Sequence, residues 1–187
     1  MHRITIVVFC LVAVLSLAAC GFQPLYAQRE DGRGVPDQLA KVRIGDISDP
    51  APRMRGFRDF PIENDRSRQI LRNYLLDDLQ PRGSRAAGEY VLSIEVVEPR
   101  TDVAIDRSDT TLRYGYAVVA YFTLRDNAGR NLFRGSSVSS TSFAVSQSEF
   151  ATLSSQRDAR DRAMQEISQD IRNQLAAYFH SAAKTPR

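Results

Sequence analysis

Tryptophan is absent from this chain of 187 residues, and cysteine and histidine occur only twice each. Two cysteines cannot build a disulfide framework. His2 and His180 stand near opposite ends of the sequence, so Cys/His metal clusters and Ser-His or Cys-His nucleophilic pairs are all but excluded by inventory. There is also no glycine-rich phosphate loop between a strand and a helix. The paired carboxylates, Asp77 with Asp78 and Asp106 with Asp109, fall in a helix and a polar loop, without a histidine or apolar wall to tune them. The chain is therefore expected not to be an enzyme and to hold neither cofactor nor metal. One-sided charge is lacking too. With 25 basic against 22 acidic residues, the net charge of +3 is too small for a nucleic-acid-binding field, and no nucleic-acid partner is expected.

What is present is a composition 43% hydrophobic and 25% charged, which suits one folded domain. Of the basic residues 23 are arginine, against the lysines Lys41 and Lys184. Guanidinium forks pair bidentately with phosphate, although a GC-rich genome produces the same bias with no function attached.

The first 20 residues set the compartment. Met1-His2-Arg3 precedes an apolar run from Ile4 to Ala19. As a helix that run would reach roughly 24 Å, short of a hydrocarbon core of ~30 Å, so it reads as a secretory signal rather than a transmembrane anchor. It ends in Leu17-Ala18-Ala19-Cys20-Gly21, which resembles the lipobox of bacterial lipoproteins. That resemblance implies diacylglycerol transfer to the Cys20 thiol, cleavage before Cys20 and acylation of the new amino group. Acyl chains contribute roughly 0.8 kcal/mol per buried CH₂, so three of them make the attachment effectively permanent. Gly21, where inner-membrane retention signals carry Asp, implies the periplasmic side of the outer membrane.

The mature chain divides into a lipidated N-terminus and tether (20–38), a single domain (39–180) and a frayed tail (181–187). A first strand is expected over Leu39–Ile47, where Val42 and Ile44 alternate with charges. Asp49–Asn64, with three prolines and three arginines, reads as a long loop. Ile70, Leu71, Tyr74, Leu75 and Leu79 predict a helix over about 64–80, stopped by Pro81-Arg82-Gly83. Alternation predicts strands over 89–98 and 112–125, and Asp126-Asn127-Ala128-Gly129 is a hairpin signal into a serine-rich return strand, 131–145, that reads as solvated. A long helix closes the chain, with Ser146-x-x-Glu149 or Ser155-x-x-Asp158 as its start and an apolar stripe from Ala163 to Phe179. Asp158, Arg160, Asp161 and Arg162 fill its polar side. The order β-α-β-β-β-α gives an α+β fold, two helices packed on one face of a mostly antiparallel four-stranded sheet.

The opposite sheet face offers Gly115, Ala117, Val119 and Tyr121, too apolar to face water comfortably. Either it docks a partner or a loop such as Asp49–Asn64 folds across it. Arginines gather at both ends of the sheet. The segment Arg100–Arg113, including Arg107, lies at one end, where Arg157 can approach it; Arg125, Arg130 and Arg134 surround the hairpin at the other. Either cluster could clamp phosphates through charge-assisted forks.

The lipobox, the stretch Cys20-Gly21-Phe22-Gln23-Pro24-Leu25-Tyr26 and the β-α-β-β-β-α order together resemble the LptE family of lipopolysaccharide-assembly lipoproteins, in its alphaproteobacterial form. The resemblance implies a plug inside the β-barrel protein LptD that helps the barrel fold and helps insert lipopolysaccharide into the outer leaflet. It further implies lipopolysaccharide binding through basic residues at loop ends of the sheet. Arg107 is the best match, in the polar loop before the tyrosine-rich strand, with Arg113 at the same end and Arg157 in the loop after the fourth strand. The alternative is a lipid-anchored pilot lipoprotein for a different envelope machine, with no lipid ligand.

Overall fold

The computed structural model describes residues 34–48, 64–80, 88–98, 104–107 and 112–184. The signal segment, Cys20 and most of the Pro- and Arg-rich loop lie outside them. The first element is a short helix, α1 (Val35–Ala40), where a tether and the start of a strand were expected. Pro36 is tolerated in a first helical turn, where its missing N–H has no acceptor to lose. Val35 and Leu39, one turn apart, are both buried.

Strand β1 (Val42–Ser48) lies parallel to β2 (Tyr90–Val97), and helix α2 (Asn64–Leu79) falls between them in sequence. The ladder slips between Ile44 and Ile47, which brings Ile47 into the core beside Val42 and Ile44 despite the odd spacing. On α2 the periodic Leu71, Leu75 and Leu79 are fully buried. Arg72 Nη2 donates to Gly45 O (2.7 Å) and Gln80 Nε2 to Val42 O (2.8 Å), so side chains of α2 and of the residue after it occupy carbonyls of the β1 backbone.

Strands β4 (Leu112–Asp126) and β5 (Asn131–Val145) form a long antiparallel hairpin. Its turn needs a left-handed residue, and Gly129 supplies it at φ 80°. The Asp126 carboxylate accepts hydrogen bonds from the Arg130 backbone N–H (2.9 Å) and from Arg130 Nε (2.7 Å). These bonds hold its pKa below the ordinary value, the backbone bond foremost.

A short strand, β3 (Ala104–Arg107), pairs with Leu112–Tyr114 at the start of β4, while β2 pairs with Val119–Asp126 further along. Because β5 occupies the other edge of β4 throughout, β2 and β3 follow one another along the same edge. The sheet therefore has five strands but is four wide, and only the β1–β2 pair is parallel. Sequence polarity concealed β3: its register places Arg107 in a strand, opposite Leu112, rather than in the expected polar loop.

Helix α3 (Glu149–Lys184) returns along β5 and covers the same sheet face as α2. It begins at Ser148, whose Oγ accepts from the Ala151 N–H at 3.4 Å, so neither Ser146 nor Ser155 is its cap. It also reaches Lys184, past Ser181, where fraying was expected to begin. Ala163, Met164, Ile167, Ile171 and Leu175 are fully buried against Val118, Ala120, Phe122 and Leu124 of β4 and the α2 leucines.

The serine-rich strand is solvated on one face only. Its inner residues are small, and Ser137 and Ser139 are buried beneath α3. Ser139 Oγ donates to Glu166 Oε2 (2.6 Å) and Thr141 Oγ1 to Ala159 O (3.2 Å). Gly135 allows the closest approach, since a Cβ there would lie 2.5 Å from Phe122 Cζ.

Candidate functional site

The topology collects one end of every long element except β1 and β2 at a single place. β3 ends there, β4 starts there opposite the end of β5 (Leu112 against Val145), and α3 begins four residues later. Two clefts flank the first turns of α3. One, of about 310 Å³, lies against α2 and is lined by Arg66, Ile70, Ser154, Arg157, Arg160 and Asp161. The other, of about 280 Å³, lies against the hairpin and is lined by Arg113, Ser142, Phe143, Ser155 and Arg162. Asp158 borders both.

Among the described residues, Arg66, Arg113 and Arg157 make no hydrogen bond or ion pair. Of the carboxylates that line the clefts, Asp158 pairs with Arg162 one turn on, and Asp161 accepts a hydrogen bond from the uncharged Tyr74 hydroxyl at 2.8 Å. That bond to Asp161 raises the Tyr74 pKa, with burial adding to it. Arginines outnumber carboxylates in the lining of both clefts, three to two in the first and two to one in the second.

Arg113 stands at the exposed start of β4, and Arg157 lies within α3, not in a loop after the fourth strand as expected. Arg107 closes β3 at the same end. The hairpin end differs. Arg125 Nε donates to Asn131 Oδ1 (2.9 Å) and Arg130 is bound to Asp126, leaving Arg134 as the one without a partner among the described residues there.

A buried polar cluster beneath the clefts was missed. Arg160 is only 7% exposed and donates to the Tyr116 hydroxyl, which itself donates to Glu98 Oε2 at 2.8 Å. Burial, then the Glu98 charge, push the Tyr116 pKa well up, and Arg160 partly offsets them. Arg160 and Asp161 are thus structural partners rather than members of a solvated helix face. Helical spacing could have revealed it: Arg160 lies three and four residues before Ala163 and Met164, on the line of the apolar stripe.

On the outer sheet face Gly115 is buried, Ala117 and Val119 are half-buried and Tyr121 is 43% exposed. The register adds a residue that the serine-rich pattern hid. Val97, Val119 and Val138 pair across three strands, and Val138 is 69% exposed. Among the described residues no group of histidine, cysteine or carboxylate side chains is arranged to hold a metal, and no helix is long and apolar enough to cross a membrane.

Fold and site define an α+β layer domain whose charge is gathered at one sheet end. The family described as LptE: Lipopolysaccharide-assembly matches residues 54–175, and the chain belongs to it. Members are non-enzymatic lipopolysaccharide-assembly lipoproteins of the cell envelope. The fold is shared with a crystallised chain from Caulobacter crescentus CB15 described as a lipoprotein, at TM-score 0.60 and 21% identity over 82% of this chain and 98% of that one. A minor lipoprotein from Acinetobacter baumannii aligns at TM-score 0.46 and 16% identity, over 74% of this chain and 94% of that one. No curated protein sequence matches the chain.

Proposed function

We propose that this protein is an outer-membrane lipoprotein, anchored through Cys20 on the periplasmic side, that plugs and stabilises an LptD-like β-barrel and assists lipopolysaccharide assembly there. The observation that carries the reading is the asymmetry of the arginines. Arg113 and Arg157 are unpartnered at the end where Arg107 closes β3, whereas Arg125 and Arg130 are engaged within their own hairpin. An anionic glycolipid gains most from guanidinium groups that need not first abandon an internal partner. Inside a barrel lumen, with bulk water largely excluded, a guanidinium–phosphate fork exceeds the ~0–1 kcal/mol of an exposed pair. The docking surface in this reading is the outer face built on Gly115, Ala117, Val119 and Tyr121, extended by Val97 and Val138.

Two measurements test it. Arg107→Glu, Arg113→Glu and Arg157→Glu should each weaken salt-sensitive binding of purified lipopolysaccharide about tenfold or more, since a charge-assisted hydrogen bond contributes roughly 1.5–3 kcal/mol. Arg125→Glu should change it little. Val119→Asp and Tyr121→Asp should reduce copurification of the barrel while circular dichroism stays native. Undiminished lipopolysaccharide binding in all three arginine variants would remove the lipid ligand and favour a pilot lipoprotein. Undiminished copurification of the barrel would remove the docking face.

A further inference from the structure

The two arginine-lined clefts do not form one basin. Helix α3 runs between them, and Asp158, held by Arg162, stands on the divide. We propose that this end takes a ligand with two separated anionic groups, one per cleft, so that the ligand straddles α3. Arg66 and Arg157 receive one group and Arg113 the other. This rests on the lipopolysaccharide reading and deepens it: the recognised part is a doubly phosphorylated sugar headgroup rather than a single phosphate.

Three observations converge. Each cleft, at about 310 and 280 Å³, has room for a hydrated phosphate. Each also has its own arginine without an internal partner among the described residues, and arginines outnumber carboxylates in the lining of both. The spacing is set by the helix between them. An α-helix with its side chains is about 10–12 Å across, so anions on its two flanks stand on the order of 10 Å apart. That is the reach of phosphates at opposite ends of a disaccharide, and far beyond that of a pyrophosphate.

The surface beside the clefts suits the rest of such a molecule. Phe150 is 79% exposed and Leu153 43% exposed, in the first turns of α3. At 100° per residue, Phe150 lies within about 20° of Arg157 around the helix, two turns away. An aromatic ring in open solvent, in line with an unpartnered arginine, offers an apolar rest for an acyl chain whose headgroup reaches the cleft. Arg66 is the residue by which the proposal can be isolated. It comes from α2, remote in sequence from Arg107, Arg113 and Arg157, and it is exposed, so replacing it does not disturb the core.

The experiment uses the full lipidated chain in detergent, titrated with bisphosphorylated lipid A, monophosphorylated lipid A and cardiolipin in matched micelles. Wild type should prefer bisphosphorylated lipid A by about tenfold or more. Cardiolipin, whose two phosphates are one glycerol apart, should bind no better than the monophosphorylated lipid. Arg66→Gln should remove most of that preference while leaving binding of the monophosphorylated lipid within about threefold, and Arg134→Gln at the hairpin should leave both unchanged. Equal, salt-sensitive binding of the two forms of lipid A by wild type would overturn the straddling site and leave the lipopolysaccharide reading standing. Cardiolipin matching bisphosphorylated lipid A would also overturn it, because the spacing argument would then fail. Binding of neither lipid A would overturn both.

Discussion

Replacing Tyr116 with Phe removes one oxygen from a cluster that joins the end of β2, the middle of β4 and α3. The ring keeps its place, so the effect isolates the hydroxyl. That hydroxyl donates to Glu98 Oε2 at 2.8 Å and accepts from Arg160, which is 7% exposed. A hydrogen bond to a charged group contributes about 1.5–3 kcal/mol, and two charged groups lose a partner here. Glu98 is half-buried, so water recovers part of the loss. The expected cost is about 2 kcal/mol, or roughly 4–8 °C in Tm for a domain of this size. Chemical denaturation should shift in midpoint with an unchanged m-value. The alkaline limb gives an independent reading. The Tyr116 pKa is raised above its ordinary 10.0, so the folded state keeps a proton that the unfolded chain releases. The resulting stability is complete below pH 10 and is lost as pH climbs above it. Tyr116→Phe should flatten that alkaline loss, with the remainder coming from Tyr74, raised by its bond to Asp161, and Tyr90, raised by burial. A variant as stable as wild type with an identical alkaline limb would refute the cluster.

Further outcomes follow from other contacts. Gly135→Ala should cost about 1–3 kcal/mol, because its Cβ would lie 2.5 Å from the buried Phe122 Cζ, and Phe122→Leu should recover part of it in a double-mutant cycle. Replacing both Arg72 and Gln80 with Ala strips the side-chain donors from Gly45 O and Val42 O of β1; light scattering should detect self-association that neither wild type nor the single variants show. Intact mass of the membrane-extracted protein should give an N-terminus at Cys20 bearing acyl chains, and Cys20→Ser should abolish them.

How much of this was legible depended on whether the pattern was local. Tyr90–Val97 and Leu112–Asp126 alternate with period two, and the α2 leucines recur at helical spacing, so those elements fell within a residue or two of expectation. Where the backbone departs from a regular period the reading failed. Ile47 reaches the core only because the β1 ladder slips before it. β3 has no hydrophobic alternation across Ala104-Ile105-Asp106-Arg107 and exists because the start of β4 extends beyond β2 and leaves an edge to pair. The serines of β5 read as solvent-facing, yet alternate ones are small so that α3 can lie close above them. In the site, Arg113 and Arg157 were placed at one end by topology alone. Arg66 was not, because it comes to Arg157 only through the packing of α2 on α3.

The net charge of +3 understates how unevenly charge is spread, and chain order explains the unevenness. At the hairpin, acid and base lie four residues apart on a tight turn, so Asp126 finds Arg130 as soon as the turn forms. Compensation there is local. At the other end the arginines arrive on α2, β4 and α3, and the acids adjacent to two of them in sequence pair with other arginines, Asp65 with Arg68 and Asp158 with Arg162. Of the two aspartates that line the clefts, Asp158 pairs with Arg162 one helical turn away and Asp161 is hydrogen-bonded by the uncharged Tyr74, so arginines stay in excess. What remains are guanidinium groups brought together by tertiary packing alone. Isolated like charges repel, so the arrangement costs stability unless something anionic occupies it. A ligand that binds the folded chain there should therefore raise its Tm, and the rise should shrink with added salt as screening supplies the same relief.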